Sequence, residues 1–209
     1  MRIVLASGNR GKLRELEDLL LPLGHDVIAQ AEFGIDSPPE TGSTFVENAM
    51  LKARHAAQIS GLPALADDSG IEVDALDGRP GVHSARYAGE AATDIENVRK
   101  LLVELTGVAA ELRTARYQCA IVLVRSADDA DPIITYGTWE GRILTMPRGT
   151  GGFGYDPVFV PIGLDQSAAE LDPAKKNEMS HRAQALEALI DRLAQEETPP
   201  GTNGADGSP

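Results

Sequence analysis

The sequence predicts a mixed α/β fold, and three patterns support this prediction. A continuous apolar run at residues 2–6, typical of a strand buried on both faces, is followed directly by a helical pattern. Capping boxes that begin at Thr44 and Thr93 predict two more helices. Residues 114–125 and 133–143 are long strand candidates separated by an acidic turn, as in an antiparallel hairpin. Strand and helix units beside such a hairpin give the mixed α/β class.

The composition limits the class of protein. The 209 residues, 42% hydrophobic and 24% charged, suffice for one soluble domain with a substantial core, or at most two small ones. No apolar run approaches the length of a membrane span, and the N-terminal run is too short for a signal peptide. We therefore expect a cytoplasmic protein that does not contact membranes. The single cysteine, Cys119, lies in an apolar run, which excludes an intrachain disulfide and favours a buried structural thiol.

The net charge of −13 argues against a protein that binds nucleic acid through its phosphate backbone, which requires a basic face. A small polyanionic ligand is still compatible with this charge. Charges are screened over about 8 Å at physiological salt, so a few lysines and a metal ion can form a local positive pocket.

The loop after the first strand predicts a phosphate site. Ser7-Gly8-Asn9-Arg10-Gly11-Lys12 lies between the strand and a helix whose apolar face carries Leu13, Leu16 and Leu20. Free N–H groups at a helix start, a glycine and a lysine together suit an anion. The spacing matches neither a Walker A loop nor a dinucleotide fingerprint. The alternative is a plain strand-to-helix turn.

The next elements are a short strand at 26–29, a loop that carries Glu40, and the alanine-rich helix from Thr44 to about Ser60. We expect Thr44 to cap this helix while Glu47 reaches back to it. The polar positions Glu47, Asn48 and Lys52 are interpreted as solvated or capping residues, although Lys52 can reach a nearby anion.

Two adjacent carboxylates, Asp67 and Asp68, precede Ser69-Gly70 and the alternating strand pattern of Ile71, Val73 and Ala75. We place the carboxylates at a strand break, where side chains can leave the sheet and meet a ligand. Because they repel each other, a cation, a lysine or a raised pKa should compensate, and oxygen ligands of this kind suit a hard divalent metal. The alternative is an Asx-turn with solvated aspartates.

The second half of the chain contains two unusual loops. The first, residues 77–87, is irregular and precedes the helix from Thr93 to Leu105, and the hairpin strands follow with Gly137 as a predicted bulge. The second loop, residues 149–157, is glycine-rich. Phe153 or Tyr155 can stack on a flat ring there while Asp156 accepts a hydrogen bond, the alternative being a glycine-rich turn with two core aromatics.

The C-terminal part comprises a short strand at 157–160, a helical turn that begins at Asp172-Pro173, and a helix at about 180–195. The predicted buried positions of that helix are Ala183, Leu186, Ile190 and Leu193. His181 and Arg182 lie in its first turn, where cations oppose the helix dipole, which indicates a ligand. From Glu196 the apolar period is lost, and we expect a disordered tail at 196–209 after a single domain at 1–195.

These segments together resemble the inosine/xanthosine triphosphate pyrophosphatase family, also called the Ham1 family. Four motifs agree in order over residues 1 to about 195: Ser7 to Lys12, with serine where relatives often have threonine; Glu40-Thr41-Gly42 with Thr44-Phe45-x-Glu47-Asn48-Ala49; Ala66-Asp67-Asp68-Ser69-Gly70 with Gly81 to Tyr87; and Gly151 to Pro157 with Lys176 and Ser180-His181-Arg182.

The resemblance implies an elongated mixed sheet flanked by helices, two lobes with a deep cleft, and a homodimer. It implies Mg²⁺-dependent hydrolysis of ITP, dITP and XTP to the monophosphate and pyrophosphate. Glu40 and Asp68 match the family's metal ligands, and Asp68 also matches the base for water. The residues that match substrate contacts are Ser7, Gly8, Asn9, Arg10, Gly11, Lys12, Ser69, Phe153, Gly154, Tyr155, Asp156, Lys176, His181 and Arg182.

Two other functions remain as alternatives. One is a Maf-like pyrophosphatase for other modified or pyrimidine nucleotides, against which the Phe153 loop and Ser180-His181-Arg182 argue. The other is a non-catalytic nucleotide-binding module, which has no need for Asp67-Asp68 together with Glu40.

Overall fold

The computed structural model describes residues 1–7 and 20–197, with the side chain of the last residue excepted. The predicted phosphate-loop residues Gly8, Asn9, Arg10, Gly11 and Lys12, most of the helix expected after them, and residues 198–209 of the expected tail lie outside the described residues.

A single six-stranded sheet forms the centre of the described part, with the spatial order β2-β1-β3-β4-β5-β6. The strands are β1 (Arg2–Leu5), β2 (Asp26–Ala29), β3 (Ala64–Val73), β4 (Thr114–Val124), β5 (Ile133–Ile143) and β6 (Phe159–Pro161). β1 is parallel to β2 and to β3, whereas β3 to β6 are antiparallel neighbours. The sheet is therefore mixed, and the predicted α/β class and the β4–β5 hairpin are confirmed.

The described helices are α1 (Phe45–Ser60), α2 (Asp94–Glu104), α3 (Pro173–Met179) and α4 (His181–Glu197). Within the described ranges, no helix combines the length and apolarity that crossing a membrane requires. The capping box at Thr93 forms as predicted. At α1, Thr44 accepts from the Glu47 N–H as expected, but the Glu47 carboxylate accepts from the N–H of Ser43 instead of reaching Thr44.

The helices α1 and α4 pack on opposite faces of the sheet. On one face, alanines of α1 such as Ala49 and Ala53 contact Val4, Ala66 and Val122, and their small size lets the helix lie close to the strands. On the other face α4 packs through Ala185, Leu186, Leu189 and Leu193, which are almost fully buried. The predicted buried face of α4 was partly wrong, because Ala183 and Ile190 are only partly buried.

The predicted bulge at Gly137 is absent, since the β4–β5 register runs unbroken through the Cys119–Gly137 pair. The glycine is instead explained by helix packing. A Cβ at position 137 would lie 1.9 Å from the His181 carbonyl oxygen and 2.7 Å from the Ala185 backbone nitrogen. Gly137 therefore lets the first turn of α4 lie directly against β5.

The predicted strand break at Asp67-Asp68 was also wrong, because β3 continues through both residues and pairs with β4 from Ala64 to Val73. It is the pairing on the other edge of β3, with β1, that ends near the two aspartates. In the described ranges, β1 contacts β3 only at Val4–Ala64 and Leu5–Leu65. Beyond Leu65 this edge of β3 faces a cavity, and side chains from both faces of the strand can reach it.

Candidate active site

The cavity lies off the carboxyl end of β1, where the chain places β2 on one side of β1 and β3 on the other. Ligands of open α/β sheets bind at such switch points. Its volume is about 380 Å³. Nine of the residues predicted from the sequence line it: Ser7, Glu40, Asp68, Ser69, Phe153, Gly154, Tyr155, His181 and Arg182.

Asp68 is buried on the face of β3 that α1 covers. The Lys52 ammonium lies 2.9 Å from its Oδ1, and the Asn48 amide donates to its Oδ2 at 3.2 Å. Burial raises the pKa of Asp68 above the usual aspartate value, and the nearby Glu40 carboxylate adds to this, although Lys52 and Asn48 oppose it. The result is a carboxylate that is oriented by two donors and is more basic than an exposed aspartate.

Lys52 joins this carboxylate to Glu40, whose Oε1 lies 3.1 Å from the ammonium. Burial lowers the pKa of Lys52, but the carboxylates of Asp68 and Glu40 outweigh it and the net shift is upward. Lys52 therefore stays charged. Burial raises the pKa of Glu40, yet Lys52 and Arg86 together lower it below its usual value. The Arg86 guanidinium donates to Glu40 Oε2 at 3.2 Å.

The donor set fits a hard divalent cation. Two carboxylates, Glu40 and Asp68, converge on the same ammonium position, and Mg²⁺ in phosphate-processing sites uses one or two carboxylates with substrate phosphates. Residues 1–7 and 20–197 contain no group of three or more potential metal-binding side chains. A cation held by these two carboxylates would therefore complete its coordination with oxygens from the ligand and water.

Asp67 points to the opposite face of β3, towards α4, because consecutive strand residues alternate. Its Oδ2 accepts from Nε and Nη2 of Arg182, both at 3.4 Å, and Nη2 also donates to Ser69 Oγ at 3.4 Å. The two adjacent aspartates thus form their ion pairs with different cations, Asp68 with Lys52 and Asp67 with Arg182. These two ion pairs compensate the repulsion between the adjacent carboxylates that the sequence predicts.

The glycine-rich loop contributes two aromatic residues to the lining of the cavity, and they differ in exposure. Phe153 is 61% exposed, whereas Tyr155 is buried and donates its hydroxyl to the Ser84 carbonyl at 2.8 Å. Phe153 is thus the ring available for stacking on a planar ligand, and Tyr155 supports the loop. The Lys176 ammonium lies 4.6 Å from the centre of the Phe153 ring.

Asp156 lies behind this loop and holds it. It is 2% exposed and accepts from the Phe153 N–H, from Lys176 and from the Tyr117 hydroxyl. The Tyr117 ring in turn stacks on His181, with centroids 4.8 Å apart. The structure therefore places Asp156 and Lys176 where they orient Phe153, while His181 lies at the start of α4 beside the cavity.

Sequence reasoning underestimated two residues of α1. Asn48 and Lys52 were interpreted as solvated or capping positions, but they are 0% and 9% exposed and both contact Asp68. Their spacing was a usable signal, because residues four apart lie on one face of a helix. Arg86 was quoted without a role, and its contact with Glu40 joins segments 46 residues apart, which a local pattern cannot reveal.

Comparisons with known proteins give a consistent result. A profile of the Ham1 family matches residues 3–192. A dITP/XTP pyrophosphatase of Vibrio cholerae is 53% identical over 197 residues, which cover 94% of this chain and 98% of the relative. A protein of the same name from Escherichia coli O157:H7 is 54% identical over 192 residues, covering 92% and 98% of the two chains.

Solved structures agree with this match. A Ham1 protein from Coxiella burnetii superimposes with a TM-score of 0.90 at 51% identity and covers 93% of this chain and 99% of its own. A structure from Mycobacterium abscessus, named nucleoside-triphosphatase and dITP/XTP pyrophosphatase, gives a TM-score of 0.79 at 41% identity, with coverage of 92% and 100%.

Proposed function

The chain belongs to the Ham1 family, and from this premise we propose that it hydrolyses the non-canonical purine nucleotides dITP, ITP and XTP to the monophosphate and pyrophosphate. The enzyme is a hydrolase of acid anhydrides. The observation that carries the proposal is a single cavity with a buried carboxylate–lysine centre at Asp68 on one side and Phe153 with Arg182 on the other. Such a cavity suits a ligand with a phosphate end and a planar base.

At the phosphate end, Asp68 accepts a proton from the water that attacks a phosphorus of the α–β anhydride. The bridging P–O bond then breaks, and pyrophosphate leaves. The raised pKa of Asp68 favours this role, because a general base works best when its pKa approaches the working pH. Lys52 and Asn48 orient the carboxylate. Glu40 and Asp68 would hold Mg²⁺, which when bound neutralises charge on the phosphates. Ser7 and the loop residues 8–12, with Lys12, would hold the triphosphate.

At the base end, Phe153 stacks on the purine, and Lys176 and Asp156 keep its loop in place. Arg182 donates to the 6-oxo group of hypoxanthine or xanthine. Adenine presents a 6-amino donor at that position, which would leave a buried donor of the enzyme unpaired. Sites built on such hydrogen bonds discriminate by about 10⁴-fold. Guanine shares the 6-oxo group, so rejection of GTP would depend on its 2-amino group.

The other expectations complete the proposal. The enzyme would be a homodimer in the cytoplasm without nucleic-acid or membrane partners, with the catalytic domain at 1–195 and the tail at 196–209. The family resemblance supports the dimer, and the acidic composition supports the absence of a nucleic-acid partner. The helix α4 extends to Glu197, two residues beyond the predicted domain boundary.

The test is pyrophosphate release from ITP, XTP, ATP, GTP and dTTP, each with and without Mg²⁺. We expect release from ITP and XTP only, and only with Mg²⁺. Release from dTTP would instead support the Maf-like alternative, and binding of nucleotide without any release would support the non-catalytic module. The match to relatives named dITP/XTP pyrophosphatase favours the first outcome.

A further inference from the structure

Asp67 has a different environment from Asp68, although the two are adjacent. Asp67 is 5% exposed, and its carboxylate accepts hydrogen bonds from Arg182 of α4, whereas Asp68 contacts Lys52 directly. Lys52 acts on Asp67 only through its charge, without a hydrogen bond among the described contacts. Asp67 lines the same cavity near the residues proposed to bind the base. Asp67 therefore lies with the residues proposed to bind the base.

The tip of Arg182 is held by β3. Nε and Nη2 both donate to the same Asp67 oxygen at 3.4 Å, and Nη2 also reaches Ser69 Oγ at 3.4 Å. Asp67 and Ser69 lie two residues apart, so both side chains project from the same face of the strand. Contacts with both Asp67 and Ser69 fix the plane of the guanidinium group. A single contact would leave this long, flexible side chain free to rotate.

The backbone of Arg182 is held independently. The His181 carbonyl lies so close to Gly137 of β5 that a Cβ there would be 1.9 Å away. Thr135 Oγ1, on the same strand, donates to the Ala185 carbonyl at 2.8 Å. The first turn of α4 is therefore fixed to β5, and the tip of the side chain is fixed to β3.

We propose, on the basis of the function proposed above, that Asp67 is a positioning residue that determines specificity: it holds the Arg182 guanidinium where it can donate to a 6-oxo purine. Discrimination between a 6-oxo acceptor and a 6-amino donor depends on where the donor lies in a desolvated pocket. A donor that is displaced or mobile loses this discrimination while the phosphate end stays intact. Asp67 also keeps the charge of Arg182 compensated, so that the pair presents a donor without an unpaired buried charge.

The test is Asp67→Asn, which keeps the size of the side chain and removes its charge. We expect the ratio of kcat/KM for ITP to that for ATP to fall at least about tenfold. A change of this size corresponds to the weakening of one charge-assisted hydrogen bond. The kcat for ITP should fall much less, because Asp68 and Lys52 are on the opposite face. In an Arg182→Ala background, Asp67→Asn should cause no further loss of the ratio.

Asp74→Asn is the matched control. Asp74 lies just after the end of β3 and also pairs with an arginine, Arg116, at 2.9 Å, but it does not line the cavity. This variant should keep the wild-type ratio. If Asp67→Asn fails to fold, Ser69→Ala removes the other attachment point of the guanidinium group and should lower the ratio in the same direction.

Three results would overturn the proposal: an unchanged ratio, equal losses of kcat on both substrates, or additive effects in the double variant. Failure of the proposed function is seen separately in the wild-type enzyme, as an absence of pyrophosphate release from ITP or an absence of preference for ITP over ATP. That result would overturn the inference as well, since there would be no base selectivity for Asp67 to determine.

Discussion

The close approach of α4 to β5 predicts that Gly137→Ala is strongly destabilising and also alters selectivity. The added Cβ would lie 1.9 Å from the His181 carbonyl oxygen and 2.7 Å from the Ala185 nitrogen. Both partners are backbone atoms, so no side-chain rotation can relieve the contact. The start of α4 would have to move away by about 1.5 Å to restore an ordinary van der Waals distance.

The magnitude follows from the packing of α4. Overpacking a core by one methyl group typically costs about 1–3 kcal/mol, and a clash with backbone lies at the upper end of that range. A decrease of about 3 kcal/mol in the free energy of unfolding corresponds to a loss of roughly 6–12 °C in Tm for a chain of this size. Because the displaced turn carries His181 and Arg182, the preference for ITP over ATP should fall together with the stability.

The assay combines urea denaturation, thermal unfolding and kcat/KM for ITP and ATP. Gly24→Ala is the control, because Gly24 has φ +77° and open space around its missing Cβ. Its left-handed backbone makes alanine unfavourable by about 1–2 kcal/mol, yet it lies away from the cavity. We expect Gly24→Ala to lose stability without losing selectivity. A Gly137→Ala variant with wild-type Tm and wild-type selectivity would refute the packing argument.

Three further predictions concern the cavity itself. Asp68→Asn should lower kcat by about 10²–10⁴-fold while nucleotide binding, measured by calorimetry, is retained, and a wild-type kcat would exclude Asp68 as the base. Phe153→Ala should raise KM for ITP about tenfold through lost stacking, whereas Tyr155→Phe should leave KM unchanged and lower the free energy of unfolding by about 1 kcal/mol. Lys52→Met should lower the free energy of unfolding by about 3 kcal/mol in metal-free buffer, because the buried Asp68 carboxylate then loses its ion-pair partner and Glu40 keeps only Arg86. Mg²⁺ should restore part of this loss, and an equal effect of Mg²⁺ on a Lys100→Met control would contradict the binding of Mg²⁺ by Glu40 and Asp68.

The strands and helices were predictable where hydrophobic patterns are long. The helix α1 occupies its predicted range, and the hairpin of β4 and β5 lies within a residue of its predicted ends. These elements bury one whole face or both, so their periodicity is strong. The short strand β6 begins two residues late, because a helical turn at Asp156–Val158 precedes it.

The errors concerned contacts between segments that are distant in sequence. Gly137 was interpreted as a bulge because a glycine in a strand pattern has few local explanations, and its true partner is 44 residues away at His181. Asp67-Asp68 looked like a turn because adjacent carboxylates are good turn residues, whereas two cations on separate helices, Lys52 and Arg182, stabilise them inside a continuous strand. No local pattern contains that information.

The geometry of β3 explains how one strand can serve two tasks. Consecutive residues of a strand point to opposite faces, so Asp67 and Asp68 would normally be separated by the sheet. Among the residues that the structure describes, the pairing of β3 with β1 stops at Leu65, and Asp67 to Gly70 line the cavity. One ligand that wraps this edge can therefore reach both carboxylates. The phosphate end then meets the Asp68–Lys52 face and the base meets the Asp67–Arg182 face. A substitution on one face should therefore change turnover or selectivity, but not both to the same extent.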